Sequence, residues 1–164
     1  GIMKAAIITS SDSGYAGERE DKSGSVIQEI LEANDYEVVH TILLPDDRKM
    51  LADEMARIAD EGIAELIVPT GGTGFSPRDC MPEATKDIIE REVPGIPEAM
   101  RAYSMTITPR AMLSRAEAGI RKGTLIVNLP GSPKAVRESL EYIIPALEHG
   151  LQILTGEATN CARK

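Results

Sequence analysis

The residues best suited to chemistry in this chain are aspartates placed beside glycine turns. Thr70-Gly71-Gly72-Thr73-Gly74 can present several backbone N–H groups to a phosphate, because glycine carries no Cβ to obstruct the approach. Arg78-Asp79 follow that turn, Asp46-Asp47 follow Leu44-Pro45, and Asp12 follows Ser10-Ser11. Carboxylates next to a phosphate can hold Mg²⁺, which takes one or two carboxylates together with phosphate oxygens and water. A second turn, Pro130-Gly131-Ser132-Pro133, precedes a helical pattern, so its N-terminus offers another anion site. The glycine turn is not a Walker A loop, since no Gly-Lys-Ser/Thr follows. Nor is it a dinucleotide fingerprint, because Pro77 stands where glycine or alanine is needed.

Each of these residues also has a plainer reading. Asp46 or Asp47 can cap the helix that follows, and Ser132 can be an ordinary helix cap. Asp79 can pair with Arg78 or cap a helix at Pro82, Asp12 can brace its own loop, and residues 71–74 can be only a tight turn. Cys80 has no histidine near it in sequence and reads as packing rather than as a nucleophile. His40 and His149 fall away from these turns.

The elements that must position the turns follow from hydrophobic patterning. Short apolar runs at 5–8, 37–44 and 66–68 predict strands, the first and third buried on both faces. Helical spacing predicts helices over 23–34, 48–60, 82–89 and 96–104, a further turn or two at 109–113, and a loop over 13–21. Lys122-Gly123 between 118–121 and 125–129 suggests a hairpin. From Pro133 the pattern is helical to about 154, with Pro145 expected to split it into two helices. Strands alternating with helices predict an α/β fold, a mainly parallel sheet covered on both faces. Ligands bind beyond the carboxyl ends of such strands. That edge collects Asp12, Asp46, Asp47, the 71–74 turn, Asp79, Asn128 and the Pro130-Gly131-Ser132 turn.

Composition narrows the function. The 164 residues are 42% hydrophobic and 27% charged, which is ordinary globular composition, and 3% aromatic residues leave the core to aliphatics. A net charge of −8 without a basic run argues against a nucleic-acid partner, so any anionic ligand must be held locally. Cys80 and Cys161 form no framework, no apolar run approaches the ~20 residues of a membrane span, and no signal peptide is recognisable. Residues 3–164 read as one domain, and Gly1-Ile2 as a cloning remnant.

Longer strings are more specific. Val68-Pro69-Thr70-Gly71-Gly72-Thr73-Gly74, three residues, Arg78-Asp79, two residues, then Pro82-Glu83-Ala84-Thr85 resembles the signature of the molybdopterin adenylyltransferases. That family includes the N-terminal domain of gephyrin. The resemblance continues in Leu44-Pro45-Asp46, in Met112-Leu113-Ser114-Arg115, and in the run from Leu125 through Asn128 to Pro133, and covers nearly the whole chain. The hairpin at Lys122-Gly123 implies at least one antiparallel hairpin strand; the resemblance implies a three-layer α/β/α domain, a homotrimer, and transfer of AMP from Mg-ATP to the molybdopterin phosphate with release of pyrophosphate. Under it, Asp46 and Asp79 fall on the catalytic acidic positions, where they would hold Mg²⁺ directly or through water. The glycine loop and Pro130-Gly131-Ser132 fall on nucleotide-contacting positions, and Ser114 and Asn128 near the pterin and nucleotide pocket. A molybdate-inserting enzyme would be the partner, in the cytoplasm. Met81 departs from the pattern, which commonly has threonine there, through loss of either a cap or a ligand contact. The alternatives are a molybdopterin-binding protein that does not turn over ATP, and a nucleotide pyrophosphatase of the competence-damage type.

Overall fold

The computed structural model describes residues 2–156. Its central strands bury both faces, so alternate side chains feed two separate cores. Six strands form one sheet in the order β2-β1-β3-β6-β5-β4. They are β1 (Met3–Ser10), β2 (Tyr36–Leu44), β3 (Leu66–Thr70), β4 (Arg91–Glu92), β5 (Ala118–Arg121) and β6 (Thr124–Val127). β1 pairs in parallel with β2 and β3, and β3 with β6, whereas β5 runs antiparallel to both β6 and β4. The expected mainly parallel sheet with an antiparallel hairpin is therefore the observed one.

Ala5, Ile7, Leu66, Val68, Leu125 and Val127 face α2 (Lys22–Ala33) and α6 (Pro133–Leu154) in one core. Ala6, Ile8, Ile67 and Ile126 face α3 (Arg48–Asp60) and α4 (Met81–Ile88) in the other. Helices α1 (Asp12–Tyr15) and α5 (Gly95–Met105), with a 3-10 turn at Pro109–Leu113, complete the described chain. Departing from β1, the chain moves to β2 on one side and then returns across to β3 on the other. The gap between the carboxyl ends of β1 and β3 is thus a topological switch point, where α/β sheets hold ligands.

Two expectations need correction, and one element is additional. Pro145 does not split the last helix: α6 runs unbroken for 22 residues with Pro145 inside it. Pro145 lies on the exposed side, so water can satisfy the carbonyl it leaves unpaired, while Ile143, Ile144, Leu147 and Leu151 stay buried on the inner side. An interior proline costs about 3 kcal/mol, and each buried Ile or Leu returns about 1.5–3, so the apolar stripe wins. The segment 13–21 is not all loop, because Ser11 accepts a hydrogen bond from Gly14 N–H and starts the single turn of α1. The two-residue β4 was not foreseen. Its residues are exposed and charged, and its place is set by pairing with the edge of β5.

Candidate functional site

The polar residues at the carboxyl ends of β1, β2, β3 and β6 meet in one hydrogen-bonded cluster. β1 ends at the buried Ser10, whose hydroxyl donates to Asp46 Oδ1 at 2.6 Å. Asp46 Oδ2 accepts the Asp12 N–H at 3.1 Å, and Asp46 N–H donates back to Asp12 Oδ1 at 2.9 Å. This reciprocal pairing ties the end of β1 to the end of β2. Arg78 closes the group through two bonds to the Asp12 carboxylate at 2.9 and 3.1 Å, which hold that carboxyl below the usual aspartate range. The helix cap after β2 is Asp47, which accepts from Met50 N–H, so Asp46 is free of that duty.

The glycine loop leaves β3 into this cluster. Gly71 has φ +90°, and a Cβ there would stand 2.6 Å from the Ser10 carbonyl, so the close approach of β1 and the loop requires glycine. Gly71 N–H donates to the Leu129 carbonyl, the Thr70 hydroxyl to Pro130, and the Ser23 hydroxyl to Gly131 at 2.6 Å. These bonds knit the β3 turn to the β6 turn. Ser132 caps α6 through Ala135 N–H, as the plainer reading has it, and the residue also lines the cleft. Asp79 neither caps α4 nor pairs with Arg78. Its Oδ2 accepts Ser76 N–H at 3.0 Å, and the residue capping α4 is Cys80, without a side-chain bond. Asp79 Oδ2 lies against Gly74, 3.0 Å from where a Cβ would be.

Two cavities flank the loop. Its first half, with Thr9, Ser10, Ser11, Ser23, Gly131 and Ser132, lines a polar cleft of about 660 Å³ that Arg19 and Lys22 also border. Its second half, Thr73 and Gly74, lines an apolar pocket of about 300 Å³ with Met100, Arg101, Ile107, Leu113, Ser114 and Pro130. Asp46 reaches the cleft through Ser10, and Asp79 reaches the pocket through Gly74. Asn128 stands apart: its buried carboxamide accepts Glu117 N–H and donates to Thr85, so its side chain is spent on joining β6 to its neighbours.

Among the described residues, Asp46 and Asp79 enter no ion pair, and no three His, Cys, Asp or Glu side chains are placed to hold a metal by themselves. Two carboxylates outside any direct ion pair, next to a loop open to anions, fit a cation shared with a ligand's phosphate rather than a protein cage. The Cys80 thiol is pushed up by burial and by the nearby Asp46 and Glu83, in keeping with a packing role. Met81 is fully buried in the α3–α4 core, and its N–H donates to the Gly72 carbonyl, so here an apolar side chain does the work of anchoring the loop's exit. Cys161 lies outside the described residues. Residue types alone had not singled out Ser10, Ser23 or Arg115. Arg115 was visible within a family string, but nothing in its spacing assigned it a task.

The family model described as "Probable molybdopterin binding domain" matches residues 6–149. The chain belongs to this molybdopterin-binding-domain family. Within the family it is 40% identical over 153 residues to a Helicobacter pylori molybdopterin adenylyltransferase, covering 92% of this chain and 86% of that one. It is 37% identical to the Escherichia coli K12 molybdopterin adenylyltransferase, over 86% of this chain and 73% of that one. The crystal structure of the Thermus thermophilus molybdopterin biosynthesis enzyme MoaB superimposes with a TM-score of 0.90 at 46% identity, covering 94% of this chain and 98% of that one. The three-layer α/β/α arrangement described above is that family's fold. Among the described residues no helix is long and apolar enough to cross a membrane.

Proposed function

We propose that this chain is a molybdopterin adenylyltransferase that transfers AMP from ATP to the molybdopterin phosphate and releases pyrophosphate. The observation that carries this reading is the glycine loop between a polar cleft and an apolar pocket, with Asp46 on one side and Asp79 on the other. The apolar pocket suits a flat heteroaromatic ring. Hydroxyls, unpaired loop N–H groups and the N-terminus of α6 suit phosphates. Phosphoryl-type transfer relies on positioning and charge neutralisation and asks for no covalent group from the protein. Asp46 and Asp79 are the residues that would hold Mg²⁺, which when bound neutralises charge on the transferring and leaving phosphates. The Ser10 hydroxyl and the Asp12 N–H fix the direction of the Asp46 carboxylate. Ser114 would border the ring, and Asp12 and Asn128 would act by holding neighbours in place. A homotrimer, a cytoplasmic setting and a molybdate-inserting enzyme that consumes the product belong to the same reading.

The test is pyrophosphate release from ATP and Mg²⁺ with and without molybdopterin. Release that depends on molybdopterin is expected. Tight molybdopterin binding with no release would instead favour a binding protein that keeps the fold without turnover.

A further inference from the structure

We propose that Arg115 is a positioning residue that holds the glycine loop and the Asp79 segment in their ligand-receiving geometry. Its role in turnover rests on the adenylyl-transfer reading, whereas its role in loop order does not. Arg115 lies in the strand-free stretch between the 3-10 turn and β5, and reaches the loop from 36 to 41 residues downstream. Its backbone N–H donates to the Thr73 carbonyl at 2.9 Å. Its guanidinium donates to the Gly74 carbonyl at 2.7 Å and to the Asp79 carbonyl at 3.1 Å. The remaining nitrogen donates to Glu83 Oε2 at 2.6 Å. One side chain therefore gathers both ends of the exposed segment 75–78.

The consequence follows from peptide geometry. In a trans peptide the C=O and the following N–H point in opposite directions. Holding the Gly74 and Asp79 carbonyls turns the N–H groups of Phe75 and Cys80 away from the guanidinium, and holding the Thr73 carbonyl turns the Gly74 N–H away from the Arg115 backbone. Among the described residues these three donors have no protein partner, so they are left available to an anion. Glu83 balances the charge of Arg115 and fixes the plane of its fork. Arg115 thus contributes direction rather than positive charge. Lysine would keep the charge, but its donors sit on one nitrogen and cannot reproduce the planar fork whose three nitrogens reach three separate acceptors.

The test compares Arg115→Lys and Arg115→Ala with wild type in three readouts: kcat and KM for pyrophosphate release, and amide hydrogen exchange along the chain. Both variants are expected to lose about tenfold or more in kcat, since misplacement of even ~1 Å is costly at a reacting centre. KM for ATP should stay within about threefold, the mark of lost geometry rather than lost binding. Exchange should accelerate across 73–80 while β1, β3 and β6 keep their protection. Wild-type kcat in Arg115→Lys would overturn the proposal by showing that charge alone suffices. Unchanged loop exchange, or faster exchange throughout the molecule, would also overturn it. If neither Arg115 variant folds, Glu83→Ala decides: it removes the acceptor that fixes the plane of the Arg115 fork. Faster exchange confined to 73–80 then supports the proposal, and none overturns it. Absence of pyrophosphate release in wild type would remove the adenylyl-transfer reading and leave Arg115 to be judged on loop exchange.

Discussion

Asp46 and Asp47 are adjacent in the chain and chemically alike, yet their hydrogen bonds give them different tasks. Asp47 spends its carboxylate on Met50 N–H, while Asp46 faces Ser10 and Asp12 in the cluster. Asp79 is likewise not consumed by a cap or an ion pair. Asp79→Asn should therefore lower kcat by two decades or more, at least ~2.7 kcal/mol at ~1.36 per decade, with the melting temperature unchanged. Asparagine can still accept the Ser76 N–H, so only the negative charge is lost. Turnover near the wild-type level in that variant would show Asp79 to be structural. Glu83 permits a test by pH. The Arg115 hydrogen bond holds its carboxyl below the usual range, so the folded state favours the charged form. The resulting stabilisation is present above the unfolded value of about 4.3 and is lost as pH falls through the lower folded value. The melting-temperature gap between wild type and Glu83→Gln should thus be widest near neutrality and close in acid. A gap that does not vary with pH would show that the pair contributes nothing through charge.

At the scale of elements, the site depends on where helices begin. Ser11, Asp21, Asp47 and Ser132 each cap a helix that starts close to the carboxyl end of the sheet. Each cap fixes the direction in which the chain leaves the rim, and so fixes the turn before it. Asp47→Ala removes one such cap and should cost about 1 kcal/mol, or roughly 2–4 °C in Tm for a domain of this size. Because Asp47 makes no bond to the Ser10, Asp12 and Asp46 cluster, kcat should stay within about twofold of wild type, well inside one decade. Loss of turnover without loss of stability in Asp47→Ala would exchange the roles assigned to the two aspartates. α6 illustrates the opposite balance, in which a poor local choice at Pro145 is overridden by the buried stripe on either side of it.

For the whole molecule, the sheet order brings four separated stretches of chain to one rim. β1 and β3 lie side by side, β2 and β6 flank them, and the turns after all four are hydrogen-bonded to one another. The chain also leaves Ile107, Met112, Leu113 and Tyr142 largely exposed. Closed cyclic assembly is a common way to cover such surface. Sedimentation at micromolar concentration should give three times the mass of the chain, and a stable monomer there would remove the trimer from the proposed function.

Strand and helix positions were legible because burial imposes periodicity. Ala5-Ala6-Ile7-Ile8 and Leu66-Ile67-Val68 must be covered on both faces, and the stripe of Leu51, Met55, Ile58 and Ala59 has one inner side. The glycine turn and the acidic residues near it were legible by type, since few residues permit φ +90° or offer a carboxylate. What sequence left open was how polar side chains are shared. Whether Asp46 is drawn to Ser10, whether Arg78 goes to Asp79 or to Asp12, and whether Asn128 faces a ligand or Thr85 all depend on neighbours 36 to 66 residues away. Arg115 is the clearest case. Its partners at 73, 74, 79 and 83 belong to another part of the chain, and no local pattern encodes a guanidinium whose acceptors are backbone carbonyls, a group every residue possesses. Hydrophobic burial leaves a periodic trace along the chain, whereas a long-range hydrogen bond leaves none, so its partner is decided only when the sheet order sets the two segments side by side.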